Sequence, residues 1–298
     1  MTKIAIISTK DHIYGVNKSF ELLGINPVKD KDVIFKPNFN TADAPPASSS
    51  METIKQMIIK IKEMGAKSIT LAERSGPAVT EEVLQEKGVY DLAKELDFKI
   101  VDLSVALKED YVQVNVEGSQ WKDGFLFSKL YHEAECVVET CCLKTHMYGG
   151  HFTLSLKNAT GLVPRREELG NLMKELHGSE HQRKMIADIN AVYHWDLIIM
   201  DGIVTFVDGG PMKGTLKEAN VFVAGTDKIA VDAVGVALLR MLGTTDEVSK
   251  GPIFKQEQIA RAVELNLGIA SPDEIEFITD GSEESAKLVE KIKEKLAE

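Results

Sequence analysis

Short apolar, β-rich runs recur along this chain with helical patterns between them. That alternation limits the fold more than any other feature. The runs are Lys3–Ser8, Asp32–Lys36, Ser68–Ala72, Lys99–Leu103, Cys136–Thr140, Leu197–Asp201 and Val221–Ala224. Between them, Ser50–Gly65 places Ile54, Met57, Ile58, Ile61 and Met64 at helical spacing and stops at a glycine. Val79–Leu96 reads as one broken helix or two short ones, split at Gly88. Arg166–Leu176 and Gln182–Tyr193 read as helices. Lys228–Leu242 is apolar almost all round, the pattern of a buried helix. Strands alternating with helices at this spacing predict an α/β fold, a mostly parallel sheet flanked by helices.

One segment breaks the rhythm. Asp110–Phe127 alternates in polarity and turns through Lys122-Asp123-Gly124, which predicts an inserted β-hairpin outside the parallel core. The tail predicts a strand at Glu276–Thr279 and a charged amphipathic helix at Glu283–Leu296. The organisation expected is one α/β unit over 1–298, with an inserted helical covering subregion at 141–195.

Composition narrows the partners. With 298 residues, 44% apolar, the chain has enough core to fold without disulfides. A net charge of -11 argues against nucleic acid and anionic membrane as partners, since both select basic surfaces. No apolar run approaches the roughly 18 residues that span a bilayer. The first apolar run is short and gives way to Lys10-Asp11-His12, so no signal peptide is expected. Three cysteines, an odd count, fit a reducing compartment, and the expected location is cytoplasmic. The hairpin is either an exposed edge pair or the arm of a homo-oligomer.

Ligands of open α/β sheets bind beyond the carboxyl ends of the strands. Lys36 is followed by Pro37-Asn38-Phe39-Asn40, and Ala72 by Glu73-Arg74-Ser75-Gly76. Thr140 is followed by the stretch CCLKTHMYGGHFTLSLKN. Asp201 is followed by Gly202 and then Asp208-Gly209-Gly210-Pro211, and Ala224 by Gly225-Thr226-Asp227. These ends are expected to line one crevice. Residues 141–166 hold Lys144, Lys157, Arg165 and Arg166 but no acid, in a chain where acids outnumber bases. With Lys36 and Arg74 added, the crevice is expected to accept phosphate or carboxylate. A helix starting near His151, after Gly149-Gly150, would add its amides. Arg165 and Arg166, which precede Glu167-Glu168, are expected to pair with surface acids. The Ser48-Ser49-Ser50 run is expected to cap the Met51–Gly65 helix. His177 and His181 read as a solvated helix end. Cys136 reads as a strand core residue, with Cys141 or Cys142 turned toward the crevice.

Several motifs together resemble the DUF362 family: Lys36-Pro37-Asn38 after a strand, Leu143-Lys144-Thr145-His146, Leu156-Lys157-Asn158 with Gly161, Asp201-Gly202-Ile203 followed by Gly209-Gly210-Pro211 and Gly214, and Asp227 with Ala230-Val231-Asp232-Ala233. The similarity runs from about residue 30 to 245. Some members of that family carry ferredoxin-like cysteine clusters; this sequence has no CxxCxxC module. The resemblance therefore supports the strand-end site and does not bring an iron–sulfur centre with it.

The function expected is an enzyme-like protein that binds a small anion, phosphate or carboxylate, with or without a metal. Lys144, His146 and Lys36 are the candidate catalytic groups, since imidazole and a desolvated lysine both exchange protons near neutral pH. Asn38, Arg74, Lys157 and Asn158 are the candidate ligand contacts. Asp201, Asp208, Asp227 and His151 are the candidate metal ligands, for a divalent metal before an iron–sulfur cluster. The alternative is a non-catalytic redox or cofactor-handling protein that holds a metal or iron–sulfur centre with a redox partner, Cys141 and Cys142 contributing at the interface.

Overall fold

The computed structural model describes all residues from 1 to 298. Its strands are β1 (Thr2–Ser8), β2 (Asp32–Lys36), β3 (Ser68–Glu73), β4 (Lys99–Asp102), β5 (Tyr111–Val114), β6 (Phe125–Ser128), β7 (Cys136–His146), β8 (His151–Thr153), β9 (Leu197–Gly209), β10 (Gly214–Gly225) and β11 (Ile275–Thr279). The main sheet has nine strands in the order β11-β1-β10-β9-β7-β2-β3-β4, with β8 paired to β7. The block β9-β7-β2-β3-β4 is parallel throughout, and β11 is parallel to β1. β10 runs antiparallel to both its neighbours.

Alternation along the strands sorts the core onto two faces. Ile4 and Ile6 of β1 join a cluster of 30 buried residues around the helix Lys228–Leu242. Ala5 and Ile7 join a cluster of 26 with residues from the helices His12–Leu23 and Met51–Glu63. A cluster of 17 lies under the β5–β6 hairpin. The hairpin is thus outside the main sheet, as its alternation predicts. The Lys228–Leu242 helix is buried from Lys228 through Leu239, in keeping with its all-round apolar pattern. Val79–Leu96 resolves into Thr80–Glu86 and Val89–Leu96, broken where Gly88 takes φ +70°.

The structure departs from expectation in the central segment. CCLKTH is the second half of β7, not a loop, and all 11 residues of that strand are buried. Its backbone has partners on both sides: Cys141 and Cys142 pair with Met200 and Asp201 of β9, and Lys144 with Thr153 of β8. No helix starts at His151. Gly149-Gly150 turn the chain into a β7–β8 hairpin, and only the four-residue turn Ser155–Asn158 follows. Residues 141–146 therefore belong to the sheet, and the helices of the 141–195 segment are Leu172–Gly178 and Gln182–Ile189. β9 and β10 form a long hairpin whose tip lies against the end of β7. There, a Cβ on Gly210 would sit 2.1 Å from the Thr145 carbonyl oxygen. No helix is long and apolar enough to cross a membrane.

Candidate functional site

The carboxyl ends of β2, β3 and β7 meet in a buried polar network. Lys36, 2% exposed, donates to both Glu73 carboxylate oxygens at 2.8 and 2.9 Å, to the Pro37 carbonyl at 2.8 Å and to Asn158 Oδ1 at 3.3 Å. Glu73 also accepts from the Phe39 and Arg74 amides. Asn158 Oδ1 accepts from Asn38 Nδ2 at 3.1 Å. Asn38 Oδ1 in turn accepts from Lys144 Nζ at 2.9 Å, and Lys144 also donates to the Ala47 carbonyl at 2.6 Å. Burial pushes the Lys36 and Lys144 pKa values down, and the Glu73 charge opposes that at Lys36. Lys36, Asn38, Lys144 and Asn158 are thus brought together, with their polar atoms directed at one another. The serine run helps to hold this floor. Ser49 Oγ accepts from the Asn38 amide, and Ser48 Oγ bonds both the amide and the carbonyl of Thr41. Ser50 stands at the N-cap, but its hydroxyl makes no capping bond.

Above this floor lies a cavity of about 590 Å³ lined by Asn40, Arg74, His146, Lys157, Thr160, Arg165 and His177, with Tyr148, Met173, Pro211 and Met212 at its apolar side. No Asp or Glu lines it. Several of its lining residues carry a buried polar atom with no partner: Asn40 Nδ2, Arg74 Nε and His146 Nδ1. Lys157, 6% exposed, has no counter-carboxylate. Burial lowers its pKa to about 7, and the positive charges of Lys144 and Arg74 add to the effect. Burial followed by the Lys157 charge also drives the His146 pKa well below its usual value, so the imidazole is neutral near pH 7. His177, at the rim, is shifted down by partial burial and by Lys157, Arg74 and Arg165; its Nδ1 is 2.8 Å from Gln182 Nε2. Gly150 packs against both central groups: a Cβ there would lie 2.8 Å from both His146 Nδ1 and Lys157 Cε.

The Lys157 shift has a stability consequence. Its folded pKa lies below that of the unfolded chain, so between the two the unfolded state binds more protons. Stability should therefore rise with pH above about 7 and be lost as pH falls through that value. In thermal melts of the ligand-free protein from pH 6.5 to 9, Lys157→Met should flatten this slope. An unchanged slope would show that Lys157 stays charged in the fold.

The turn that carries Lys157 and Asn158 is held from below. The Asp232 carboxylate, on the buried Lys228–Leu242 helix, accepts from the Ser155 amide at 2.8 Å, the Ser155 hydroxyl at 2.5 Å and the Leu156 amide at 3.2 Å. A four-residue helical turn is unstable in isolation, and this carboxylate supplies the acceptor its first amides need.

The candidate metal ligands do not converge, and no group of three or more His, Cys, Asp or Glu side chains is arranged to hold an ion. Asp201 faces the helices: its carboxylate accepts from Thr53 Oγ1 at 2.7 Å, lies 3.0 Å from His12 Nδ1 and raises the His12 pKa. Asp227 caps the Lys228–Leu242 helix and accepts from the Ala230 and Ile269 amides. Because β10 is antiparallel to β9, its end delivers Asp227 to the amino-terminal end of β9, away from the crevice. Asp208 and His151 line a separate cavity of about 310 Å³ with Glu247, adjoining the first through His146. Cys141 and Cys142 are buried at 1% and 3% exposure, and burial raises both thiol pKa values, so neither turns to the crevice as a thiolate. The expected surface pairing holds for Arg166, which meets Glu168, but Arg165 joins the cavity and donates to the Gly76 carbonyl.

Sequence reasoning passed over Glu73, Asn40, Thr160, Arg165 and His177 as site residues. Glu73 and Asn40 stand directly beside residues singled out, and the strand-end rule reaches both. His177 had no such signal, because only the tertiary placement of the Leu172–Gly178 helix brings it to the cavity.

The family model described as a domain of unknown function, DUF362, matches residues 33–237. The chain belongs to the DUF362 family. The DUF362 segment begins within β2 and ends in the Lys228–Leu242 helix, so it holds the polar floor, the cavity wall and Asp232. Over 262 residues the chain is 24% identical to a thylakoid-associated protein of Synechocystis sp., covering 84% of this chain and 76% of that protein. It also superposes on the lactate racemase apoprotein of Thermoanaerobacterium thermosaccharolyticum with a TM-score of 0.48 and 14% identity. That match covers 79% of this chain and 57% of the other, so this chain spans little more than half the racemase's length.

Proposed function

We propose that this DUF362 protein binds a small anion, a phosphate or a carboxylate, in the cavity between Arg74, Arg165 and Lys157, and acts on it as an enzyme with His146 as the proton-exchanging group. One observation carries the reading. Asn40, Arg74 and His146, which carry the unpartnered buried atoms Nδ2, Nε and Nδ1, line the same acid-free cavity as Lys157. Leaving a buried donor unpaired costs about 1–3 kcal/mol, and a cavity that gathers several of them is suited to a ligand rich in acceptors. Guanidinium groups supply the forked donors that carboxylate and phosphate match. Lys36 and Lys144, whose donors are spent on Glu73, Asn38 and backbone carbonyls, act as scaffold in this reading. The alternative of a redox centre shared with a partner needs thiolates at a surface, and the burial of Cys141 and Cys142 works against it.

The test is thermal melting with inorganic phosphate, oxalate and pyruvate, each against chloride at equal ionic strength. A ligand at a hundred times its Kd stabilises the native state by about 2.7 kcal/mol. The wild type should melt at a higher temperature with at least one of these anions, and Arg74→Met/Arg165→Met should lose the response. Lys94→Met, at an exposed site, should keep it. No response to any anion, or an undiminished one in the double variant, overturns the reading.

A further inference from the structure

We propose that Lys157 is a covalent catalytic residue, whose amine condenses with the carbonyl carbon of a small 2-oxo acid held by its carboxylate on Arg74 and Arg165. The inference rests on the anion-binding reading above and names its substrate class. Three observations lead to it.

The first is the isolation of the amine. Other lysines buried in this part of the fold are committed: Lys36 to Glu73, Lys144 to Asn38 and Ala47, and Lys228 to Glu139 at 2.9 Å. Lys157 is also buried, at 6% exposure, lines an open cavity, and has no carboxylate beside it. An ammonium in such a place is disfavoured by desolvation and by its positive neighbours, the arrangement that turns a lysine into a nucleophile.

The second is the position of His146. The contact geometry at Gly150 sets the imidazole Nδ1 and the Lys157 side chain close together: a Cβ on that glycine would lie 2.8 Å from both His146 Nδ1 and Lys157 Cε. His146 Nδ1 has no protein partner, and burial keeps the ring neutral. A neutral imidazole there is able to take a proton from an adduct nitrogen and give it to an adduct oxygen.

The third is the match of polarity to a bifunctional ligand. Arg74 and Asn40, lining residues with the unsatisfied donors Nε and Nδ2, suit a carboxylate, and Met173, Pro211 and Met212 offer apolar surface to a substituent. The step balances without any redox partner. The Lys157 lone pair forms the C–N bond as the carbonyl π bond opens onto oxygen. A proton passes from nitrogen to oxygen through His146. The hydroxyl then takes a second proton, drawn from solvent through His146, and leaves as water while the nitrogen lone pair forms the C=N bond of a protonated imine. Such an imine draws electrons from the bonds at the neighbouring carbons, so the reactions it serves are proton removal or carbon–carbon cleavage beside the former carbonyl.

The test is reductive trapping. The full-length protein is incubated with pyruvate, 2-oxoglutarate or phenylpyruvate, with and without sodium cyanoborohydride, and examined by intact mass and peptide mapping. Acetate serves as the carboxylate without a carbonyl, and Lys157→Arg as the variant that keeps a cation but forms no imine. The expected result is a single borohydride-dependent adduct on Lys157 with at least one 2-oxo acid, exceeding any other lysine by about tenfold or more near pH 7, because ordinary lysines there are almost wholly protonated. Lys157→Arg should give none. Absence of the adduct while any of the 2-oxo acids raises the melting temperature overturns the imine and leaves anion binding standing. Modification spread over surface lysines, equal in wild type and Lys157→Arg, also overturns it. No adduct and no thermal response to any anion defeats both readings together.

Discussion

Replacing Glu73 with glutamine is expected to destabilise the protein by about 3–5 kcal/mol, the range for removing one member of a buried ion pair. Glu73 and Lys36 are each 2% exposed, and the carboxylate meets the ammonium through both oxygens at 2.8 and 2.9 Å. The neutral amide leaves the Lys36 ammonium in a low-dielectric site with no counter-charge, facing only neutral acceptors: the glutamine oxygen, the Pro37 carbonyl and Asn158 Oδ1. Glu73 also accepts from the Phe39 and Arg74 amides, so its loss loosens the loop after β2 and the approach of Arg74 to the cavity. Denaturant unfolding measures the effect directly. Lys36→Met/Glu73→Leu should recover much of the loss, because no charge is then left unpaired. A Glu73→Gln change within about 0.5 kcal/mol of wild type, the size of a surface substitution, would show that the pair is not buried as described.

Asp232→Ala carries the second large effect, about 3 kcal/mol or more. The substitution leaves the Ser155 and Leu156 amides without an acceptor and leaves the Ser155 hydroxyl only the Lys228 carbonyl at 3.4 Å, and each unpaired buried donor costs about 1–3 kcal/mol before relaxation. Ser155→Ala, which removes only one of the three donors, should cost about 1 kcal/mol. The consequence also extends to the site. Asp232 is not among the residues lining the cavity, yet it secures the turn bearing Lys157 and Asn158. The variant should therefore lose anion-induced stabilisation even under conditions where it remains folded, and Ser155→Ala should retain it. If Asp232→Ala is destabilised and still responds to anions like wild type, the turn is held in place by other contacts.

Much of this was legible in the sequence, for identifiable reasons. Strands such as Asp32–Lys36 stand out because a strand buried on both faces must be a short, nearly continuous apolar run. The buried helix Lys228–Leu242 stands out because it has no polar face. Lys36, Asn38, Arg74, Lys157 and Asn158 followed from one rule, that loops at carboxyl strand ends meet in space, combined with an acid-free stretch in an acidic chain.

What the rule could not supply was the direction of each strand and the place where it stops. Val221–Ala224 reads identically whether the strand runs up or down. The chain returns through a tight turn after Gly209, so β10 is antiparallel and Asp227 is carried away from the crevice. CCLKTH has the polarity of a loop, yet partners on both sides make it sheet. The polar side chains of Lys144 and Thr145 are buried because hydrogen bonds across the fold satisfy them. Asp201 became a clamp between β9 and the His12 and Thr53 helices, which no local pattern foretells.

The sequence by itself determined the α/β class, the positions of most strands and the positive character of one set of loops, because period, apolar content and net charge are local quantities. The tertiary structure decided which lysine is free. Lys36, Lys144 and Lys157 are equivalent in the sequence as basic residues near strand ends. Only the fold gives Lys36 a carboxylate and Lys144 an asparagine and a carbonyl, and leaves Lys157 facing the cavity with none, since pairing in a low-dielectric interior depends on residues distant in the chain.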